Sequence, residues 1–404
     1  MYIHRTIEKE LANLNKNFKV LLVSGMRQVG KSTVLAHSAS ENRQYVTLDE
    51  NEDLELAQSA PKAFFLKHPL PLTIDEIQRA PGMFLQIKAQ VDRTEQYGQV
   101  WLTGSQRFSL MKGVGDSLAG RLFEVHLMPL SIYEREGKGL LQEPFVPSLS
   151  RAGHLQAKSP EETWDLIWQG AWPRLLNFSP KERSQFFEGF LTTLLDRDIR
   201  EVGNVDSLLA FRRFIRALAL RTGQELRIGA LAQLSGVSEP TVKRWLSIAH
   251  ASGLIYLLAP FFSNKNKSLV KSPKIYFADT GFAAWLCGFS TAGQLRQDSA
   301  AGAFFETFAV IEILKSWRHN GVEPDLFFYR DAKTKAEIDL LIHENGLWHP
   351  VEIKMSAHPD KGMIRHFSEF EKLNLAAGDG ALISLAPEKR FLSDTVVAQS
   401  IWDI

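Results

Sequence analysis

The tightest constraint on this chain lies near its start. The apolar run from Lys19 to Ser24 leads straight into Gly25-Met26-Arg27-Gln28-Val29-Gly30-Lys31-Ser32-Thr33, and a helical pattern follows. The spacing G-x-x-x-x-G-K-S/T between a strand and a helix describes a phosphate-cradling loop, because glycines let backbone amides turn inwards and a helix N-terminus favours an anion. On this reading Gly25, Met26, Arg27, Gln28, Val29 and Gly30 wrap the phosphates, and Lys31 neutralises the β and γ oxygens. Ser32, with Thr33 beside it, supplies a hydroxyl ligand to Mg2+.

Further short apolar runs, Tyr45 to Leu48, Leu70 to Ile74, Val100 to Thr103 and Leu122 to Leu127, alternate with helical segments. Near-continuous apolar strands predict a parallel sheet covered on both faces, an α/β fold of the P-loop type over residues 1–150. The run from Leu70 ends in Asp75-Glu76. Adjacent carboxylates at a strand end suit metal-assisted hydrolysis, with Asp75 in the metal shell and Glu76 orienting and deprotonating the attacking water. The run from Val100 ends in Thr103-Gly104-Ser105, which makes Ser105, and after it Thr103, the candidates for sensing the γ-phosphate. Arg121 is read either as an arginine finger, acting in cis or in trans, or as an ordinary surface or fold-clamping arginine.

Composition narrows the setting. A chain of 404 residues exceeds one ordinary core, so several units are expected. Its formal charge of +1 excludes a globally basic nucleic-acid binder, so any DNA contact must be local. There is no apolar run of about eighteen residues and no signal-like N-terminus, and Cys287 is the sole cysteine. A cytoplasmic protein without membrane contact is expected.

Residues 137–160, rich in Gly, Pro, Ser and Lys, read as a linker or surface loop. Helices are expected over Glu161 to Leu176 and Pro180 to Val202, a helical lid within residues 151–222. Residues 223–280 carry a helix-turn-helix pattern, Ile228 to Ser235 and Glu239 to Ser252 around Gly236, with Val242, Trp245, Leu246 and Ile248 as its inward stripe. Ser238, Thr241, Lys243 and Arg244 form the outward face, and Lys265, Lys267, Lys271 and Lys274 mark a basic wing, a winged-helix arrangement able to meet DNA phosphates. In residues 281–404, Glu306 falls on an apolar helix, Asp339 on a strand, and Glu352 and Lys354 on the same side of the next strand. Asp339 and Glu352 are candidate ligands for magnesium beside a scissile phosphate, with Lys354 positioning water or stabilising charge.

Taken together, the phosphate loop, Ile74-Asp75-Glu76-Ile77-Gln78, Leu102-Thr103-Gly104-Ser105, Ser117-Leu118-Ala119-Gly120-Arg121 and Leu195-Asp196-Arg197-Asp198-Ile199 resemble prokaryotic AAA-type ATPases related to the STAND and archaeal ATPases. The resemblance implies ATP and Mg2+, assembly of copies into a homo-oligomer, and a contact near the nucleotide base from Gly170-Ala171-Trp172-Pro173, where such families carry Gly-Gly-aromatic-Pro. Glu306, Asp339, Glu352 and Lys354 resemble the PD-(D/E)XK nuclease fold, which implies a DNA partner, branched DNA among the candidates. The competing expectation is a STAND-like regulatory switch whose C-terminal domain binds a protein and does not cut.

Overall fold

The computed structural model describes residues 2–104, 118–195, 208–262, 272–331 and 334–404. From its start the chain builds α1 (Glu8–Asn17), β1 (Val20–Ser24), α2 (Lys31–Ser38), β2 (Gln44–Thr47), α3 (Asn51–Ser59), α4 (Pro61–Lys67), β3 (Leu72–Asp75), α5 (Met83–Val91), β4 (Val100–Gly104) and β5 (Leu122–His126). Every residue of β1 is buried. Because side chains alternate across a strand, Val20 and Leu22 enter one apolar cluster with Phe64, Phe84 and Ile87, while Leu21 and Val23 enter another with Leu11, Val34 and Leu35. A strand apolar on both sides needs helices on both. The five strands lie in the order β2-β3-β4-β1-β5, all parallel. All five expected strands are present, with ends within two residues of expectation.

Beyond the sheet come α6 (Ile132–Arg135), α7 (Pro160–Gln169), α8 (Pro180–Thr193) and α9 (Leu208–Ala219). Capping boxes at Ser131, Ser159 and Ser179 start the first three. α7 stops earlier than expected: Gly170, at φ 87, ends it and a tight turn over Pro173–Asn177 follows. Next are β6 (Gln224–Glu225), α10 (Ile228–Ser235), α11 (Glu239–Ala251), β7 (Ile255–Pro260) and β8 (Lys274–Phe277). Gly236, at φ 71, makes the turn between α10 and α11, and Ser238 caps α11. Val242, Trp245, Leu246 and Ile248 point inwards as expected, and Lys243 and Arg244 are exposed.

The chain closes with α12 (Thr280–Cys287), α13 (Ala292–Gln297), α14 (Ala301–Arg318), β9 (Asp325–Arg330), β10 (Glu337–Glu344), β11 (Leu347–Ile353), α15 (Phe367–Glu371), β12 (Gly380–Ser384), β13 (Arg390–Phe391) and β14 (Val396–Ser400). The boundary expected at residue 280 is crossed by a single nine-stranded sheet among the described residues, β13-β14-β12-β11-β10-β9-β7-β8-β6. β7 pairs with β9 in parallel and with β8 antiparallel, so the strands beside the helix-turn-helix and the C-terminal sheet are one surface. Strand pairing across distant sequence leaves no local periodicity, which is why the run of elements reads as two units.

Residues 137–160 are not a free linker. Phe145 is fully buried, its N–H donates to Ser316 Oγ (2.9 Å) and its carbonyl accepts from Trp317 Nε1 (2.9 Å). Lys389 Nζ holds the carbonyls of Leu149 (2.5 Å) and Arg151 (2.9 Å). Thr6 donates to the Gly139 carbonyl (2.8 Å) and Lys9 to that of Gln142 (2.9 Å), so the segment straps the N-terminal residues and α1 to the C-terminal unit.

The two halves meet at a buried knot. Glu134 accepts from the N–H groups of Thr6 (2.9 Å) and Ser131 (3.0 Å), pairs with Arg5 Nε (2.9 Å), and faces His319 Nδ1 at 3.3 Å. His319 Nε2 accepts from the Met128 N–H at 3.3 Å, so the proton of its neutral ring sits on Nδ1, towards the carboxylate. Burial opposes the charge on Glu134, yet Arg5 and His319 hold its carboxyl far below the usual range, and burial lowers the His319 pKa. Both groups have depressed folded-state values, so their stabilisation is present at neutral pH and is lost on acidification, from about 6.5 downward for His319 and from about 4.5 downward for Glu134. Glu134→Gln is expected to cost about 3–5 kcal/mol by leaving the Arg5 charge buried without its partner, and to blunt the acid-induced fall in melting temperature. Urea unfolding at pH 7 and a melting series from pH 7 to 4 measure both; a variant as stable as wild type rules the knot out as a stabilising centre.

Candidate functional site

The turn after β1 is shaped by steric necessity. Gly25 sits at φ 143 with the Leu127 carbonyl oxygen 2.1 Å from where a Cβ would stand, so no other residue fits. Gly30, at φ 98, precedes α2, and Gln28 also adopts positive φ (63°). Lys31 is buried and donates to the carbonyls of Gly25 (3.0 Å) and Met26 (2.9 Å). Arg5 braces the loop from behind, Nη1 donating to the Val29 carbonyl (2.7 Å) and Nη2 to that of Met128 (2.8 Å).

β3 delivers the two carboxylates. Ser32 Oγ donates to Asp75 Oδ1 at 2.9 Å, Tyr45 donates to Oδ2 at 2.7 Å, and the Thr103 hydroxyl also donates to Oδ1. The serine and aspartate assigned to the metal are therefore adjacent, an all-oxygen donor pair suited to a hard dication such as Mg2+. Glu76 leaves the strand at φ 58, ψ 43, its N–H donating to Thr103 Oγ1 (3.2 Å) and its carboxylate accepting from Gln78. A left-handed glutamate costs about 1–3 kcal/mol and persists where the surroundings fix it; here it turns the side chain from the sheet into the cleft. Thr103, expected to face phosphate, instead orients both acids. Ser105 lies outside the described residues.

Arg27, Gln28, Gly30, Lys31, Ser32, Thr33, Glu76 and Pro173 line one cleft of about 610 Å³, with Arg174 and Thr193 completing it. Pro173 arrives on a turn that docks on the loop: Trp172 Nε1 donates to the Arg27 carbonyl (3.0 Å), and the Ala171 N–H donates to Asp279 Oδ2 (2.6 Å). Arg121 is not brought to this cleft. It stands just before β5, at the end of the sheet where the parallel strands begin, while the loop follows the end of β1; its carbonyl accepts from the Val20 N–H, and it pairs with Asp92 (Nε to Oδ1 2.5 Å, Nη2 to Oδ2 3.0 Å). No finger acts from this position within one chain.

A second constellation forms on the nine-stranded sheet. Asp339 Oδ2 accepts from the Ile353 N–H (2.9 Å) and Lys354 Nζ (3.1 Å), and Lys354 pairs with Glu352 Oε1 at 2.6 Å. Asp339, Glu352 and Lys354, with Glu337, line a cleft of about 580 Å³. Glu306 comes from α14 and is not free: Lys274 Nζ (3.0 Å) and the Tyr276 hydroxyl (2.6 Å) both donate to its Oε1. Lys274 also pairs with Glu337 at 2.7 Å and is buried. It is therefore a counter-ion of the acidic centre and no part of a basic wing; Lys265, Lys267 and Lys271 lie outside the described residues. Alternation along β8 carries the signal that sequence reasoning passed over, since Lys274 and Tyr276 share one face of a strand. Glu337, two residues before Asp339 on β10, carries the same signal.

The charges do not balance. Glu306, Glu337, Asp339 and Glu352 face two ammonium groups, and Glu352 Oε2 is buried without a hydrogen-bond partner. Burial, then Asp339, pushes the Glu352 carboxyl up to about 8, and the same causes raise Glu306. Burial opposes the Lys274 charge, but Glu306, Asp339 and Glu337 overcome it and raise its pKa.

Comparison with known proteins bears on the unit that carries the first cleft. Residues 17–136 match a family model described as AAA domain, residues 160–293 one described as Domain of unknown function (DUF8612), and residues 301–404 one described as Domain of unknown function (DUF4143). Uncharacterized proteins of Mycobacterium tuberculosis and Mycobacterium bovis are each 28% identical over 383 residues, 94% of this chain and 79% of theirs. Among solved structures, a Walker-type ATPase of Pyrococcus abyssi is similar at 16% identity over 69% of this chain and 94% of that one, TM-score 0.46. RuvB of Thermotoga maritima is similar at 14% identity over 63% and 89%, TM-score 0.32. By the family match, residues 17–136 carry an AAA-type domain, a parallel five-stranded sheet with the glycine-rich loop at the end of β1. No helix among the described residues is long and apolar enough to cross a membrane.

Because the folded-state value of Glu352 is raised, its protonated form stabilises the fold, and that contribution is lost as pH rises from about 4.5 to about 8. Glu352→Gln keeps the shape and removes the titration. Its melting temperature is expected to gain steadily on wild type between pH 5 and 8 and to level off above; a pH-independent gap would show that Glu352 is not held protonated.

Proposed function

We propose that this chain is an ATP-driven machine acting on DNA, in which turnover at the loop after β1 governs the helix-turn-helix and a nuclease-like acidic centre. The observation that carries the reading is that Glu306, Asp339, Glu352 and Lys354, far apart in sequence, converge on the same sheet whose β6 and β7 flank the helix-turn-helix along the chain. In the ATPase step, Lys31 exchanges the carbonyls of Gly25 and Met26 for phosphate oxygens, and Ser32 and Asp75 would hold Mg2+. That ion, when bound, neutralises charge on the β and γ phosphates. Glu76 takes the proton of the attacking water, its backbone pinned by Thr103. Exposed Lys243 and Arg244 on α11 are the groups offered to DNA phosphates. Asp339 and Glu352 would hold a divalent cation of the magnesium class, an oxygen donor set in keeping with the unpartnered Glu352 Oε2.

A second reading, a regulatory switch whose C-terminal unit binds a protein and does not cut, is favoured by Lys274, which bridges Glu306 and Glu337 inside the centre. An assembly of copies is where Arg121 would serve as a finger, and solution mass with and without nucleotide tests for it.

Lys31→Ala is expected to abolish phosphate release, and Glu76→Gln to lower turnover about 10²-fold or more while nucleotide binding survives. Release unchanged in Lys31→Ala sinks the ATPase assignment. DNA affinity of the wild type should fall steeply with salt, and Lys243→Ala with Arg244→Ala should flatten that slope by about two. Magnesium-dependent cleavage of linear or branched DNA that disappears in Asp339→Ala supports the nuclease reading; salt-independent binding without cleavage favours the switch.

A further inference from the structure

We infer that His4, Glu8 and His37 form a binding site for a zinc-class dication at the outer end of the phosphate-loop helix. Among the described residues this is the one group of histidine, cysteine and carboxylate side chains that presents three ligand atoms within 4.8 Å of one another. His4 Nδ1 lies 3.2 Å and His37 Nε2 4.0 Å from Glu8 Oε2. A tetrahedral zinc with bonds of about 2.0–2.1 Å sets its ligands about 3.4 Å apart, so small side-chain movements close the site. Two imidazoles and one carboxylate form a borderline donor set that suits zinc, nickel or copper better than magnesium or calcium, and three protein ligands leave a fourth position for water.

The carboxylate is already aimed. Glu8 Oε1 accepts from the Arg5 N–H (2.5 Å) and the Tyr2 hydroxyl (2.9 Å), which leaves Oε2 as the oxygen turned to both histidines. The Tyr2 ring stacks on His37 with centroids 3.8 Å apart, and His4 meets His37 edge-on at 5.5 Å, so both rings are held in place. Outer partners of this kind fix ligand orientation in metal sites. His4 and His37 are about half exposed while Glu8 is largely covered, which gives an ion a path in from solvent.

The site joins the N-terminal segment and the start of α1 to the last turn of α2. His37 stands in the last turn of α2, whose first residue is Lys31, and Glu8 opens α1. Between His4 and Glu8 lies Arg5, which holds the Val29 carbonyl of the phosphate loop. A bound ion would bridge the N-terminal segment to the far end of the loop's own helix.

The test uses the full chain, stripped with chelator and titrated with zinc chloride by calorimetry in saturating magnesium. One equivalent is expected to bind, at least tenfold more weakly in His4→Ala and in His37→Gln, and to be absent from the double variant; Asp339→Asn should leave it unchanged. In the wild-type chain, one equivalent of zinc should protect His4 and His37 from carbethoxylation, read by peptide mass spectrometry. Equal zinc affinity in the wild type and the double variant, or no protection of these two rings, overturns the site.

Discussion

Glu134 is the group on which the arrangement of both halves rests. A fully buried carboxylate is tolerated only where its charge is matched and its lone pairs are used. Here the matching partners come from three regions: Arg5 from the N-terminal segment, the amides of Thr6 and Ser131, and His319 from the end of α14. Arg5 then spends its remaining donors on the carbonyls of Val29 and Met128. The phosphate loop is thus positioned by a residue whose own position depends on a carboxylate packed against the C-terminal helix. A second buried pair repeats the theme nearby, Glu312 accepting from the Ile132 N–H and Lys315 donating to the Leu130 carbonyl. Glu312 and Lys315 on α14, with His319 just past its end, thus hold the backbone of Met128, Leu130 and Ile132 where the chain leaves the five-stranded sheet.

What could be read from residue order follows from how local each signal is. The loop from Gly25 to Ser32 is contiguous, its glycines answer to backbone geometry, and the acid pair Asp75-Glu76 ends a strand that its own burial pattern announces. Convergence of Asp339, Glu352 and Lys354 follows from two adjacent antiparallel strands, β10 and β11. Lys274 escapes such a reading for the opposite reason. A lysine beside an apolar run looks solvent-facing, and only the placement of β8 against α14 shows that Lys274 has a carboxylate to meet. The strap over residues 137–160 was hidden similarly: Gly and Pro mark irregular backbone, but irregular backbone with buried Phe145 is a packed segment. Arg121 shows the limit of motif reading, since its motif is present while strand direction puts it at the start of β5, the length of a strand away from the loop that follows β1.

The acidic centre is an electrostatic compromise with a direction. Four carboxyl groups in one partly closed site cannot all ionise cheaply, and the structure answers with two lysines and a glutamic acid held near its proton. Removing either lysine would leave more negative charge than the site can hold and would make an added cation more favourable. The same centre therefore reads as a metal site or as a closed ionic scaffold, and the position of Lys274 separates the two states.

That position is connected by a series of hydrogen bonds to the cleft at the loop after β1. Trp172 hangs from the Arg27 carbonyl in the phosphate loop, its neighbour Ala171 donates to Asp279, and Asp279 follows immediately on β8, the strand that carries Lys274 and Tyr276 to Glu306. Each link uses at least one side chain, the Trp172 indole, the Asp279 carboxylate, and Lys274 and Tyr276 on Glu306, and each is seated on a hydrogen-bond partner. A buried array of hydrogen bonds passes on movement in discrete steps, because intermediate positions leave donors unpaired at about 1–3 kcal/mol each. Ala171 at this turn does not weaken the link, because the contact it makes uses its amide and not its side chain. The contacts that join the Arg27 carbonyl to Glu306 therefore run through the side chains of Trp172, Asp279, Lys274 and Tyr276, and substitution of any of these breaks a link that the backbone alone does not replace.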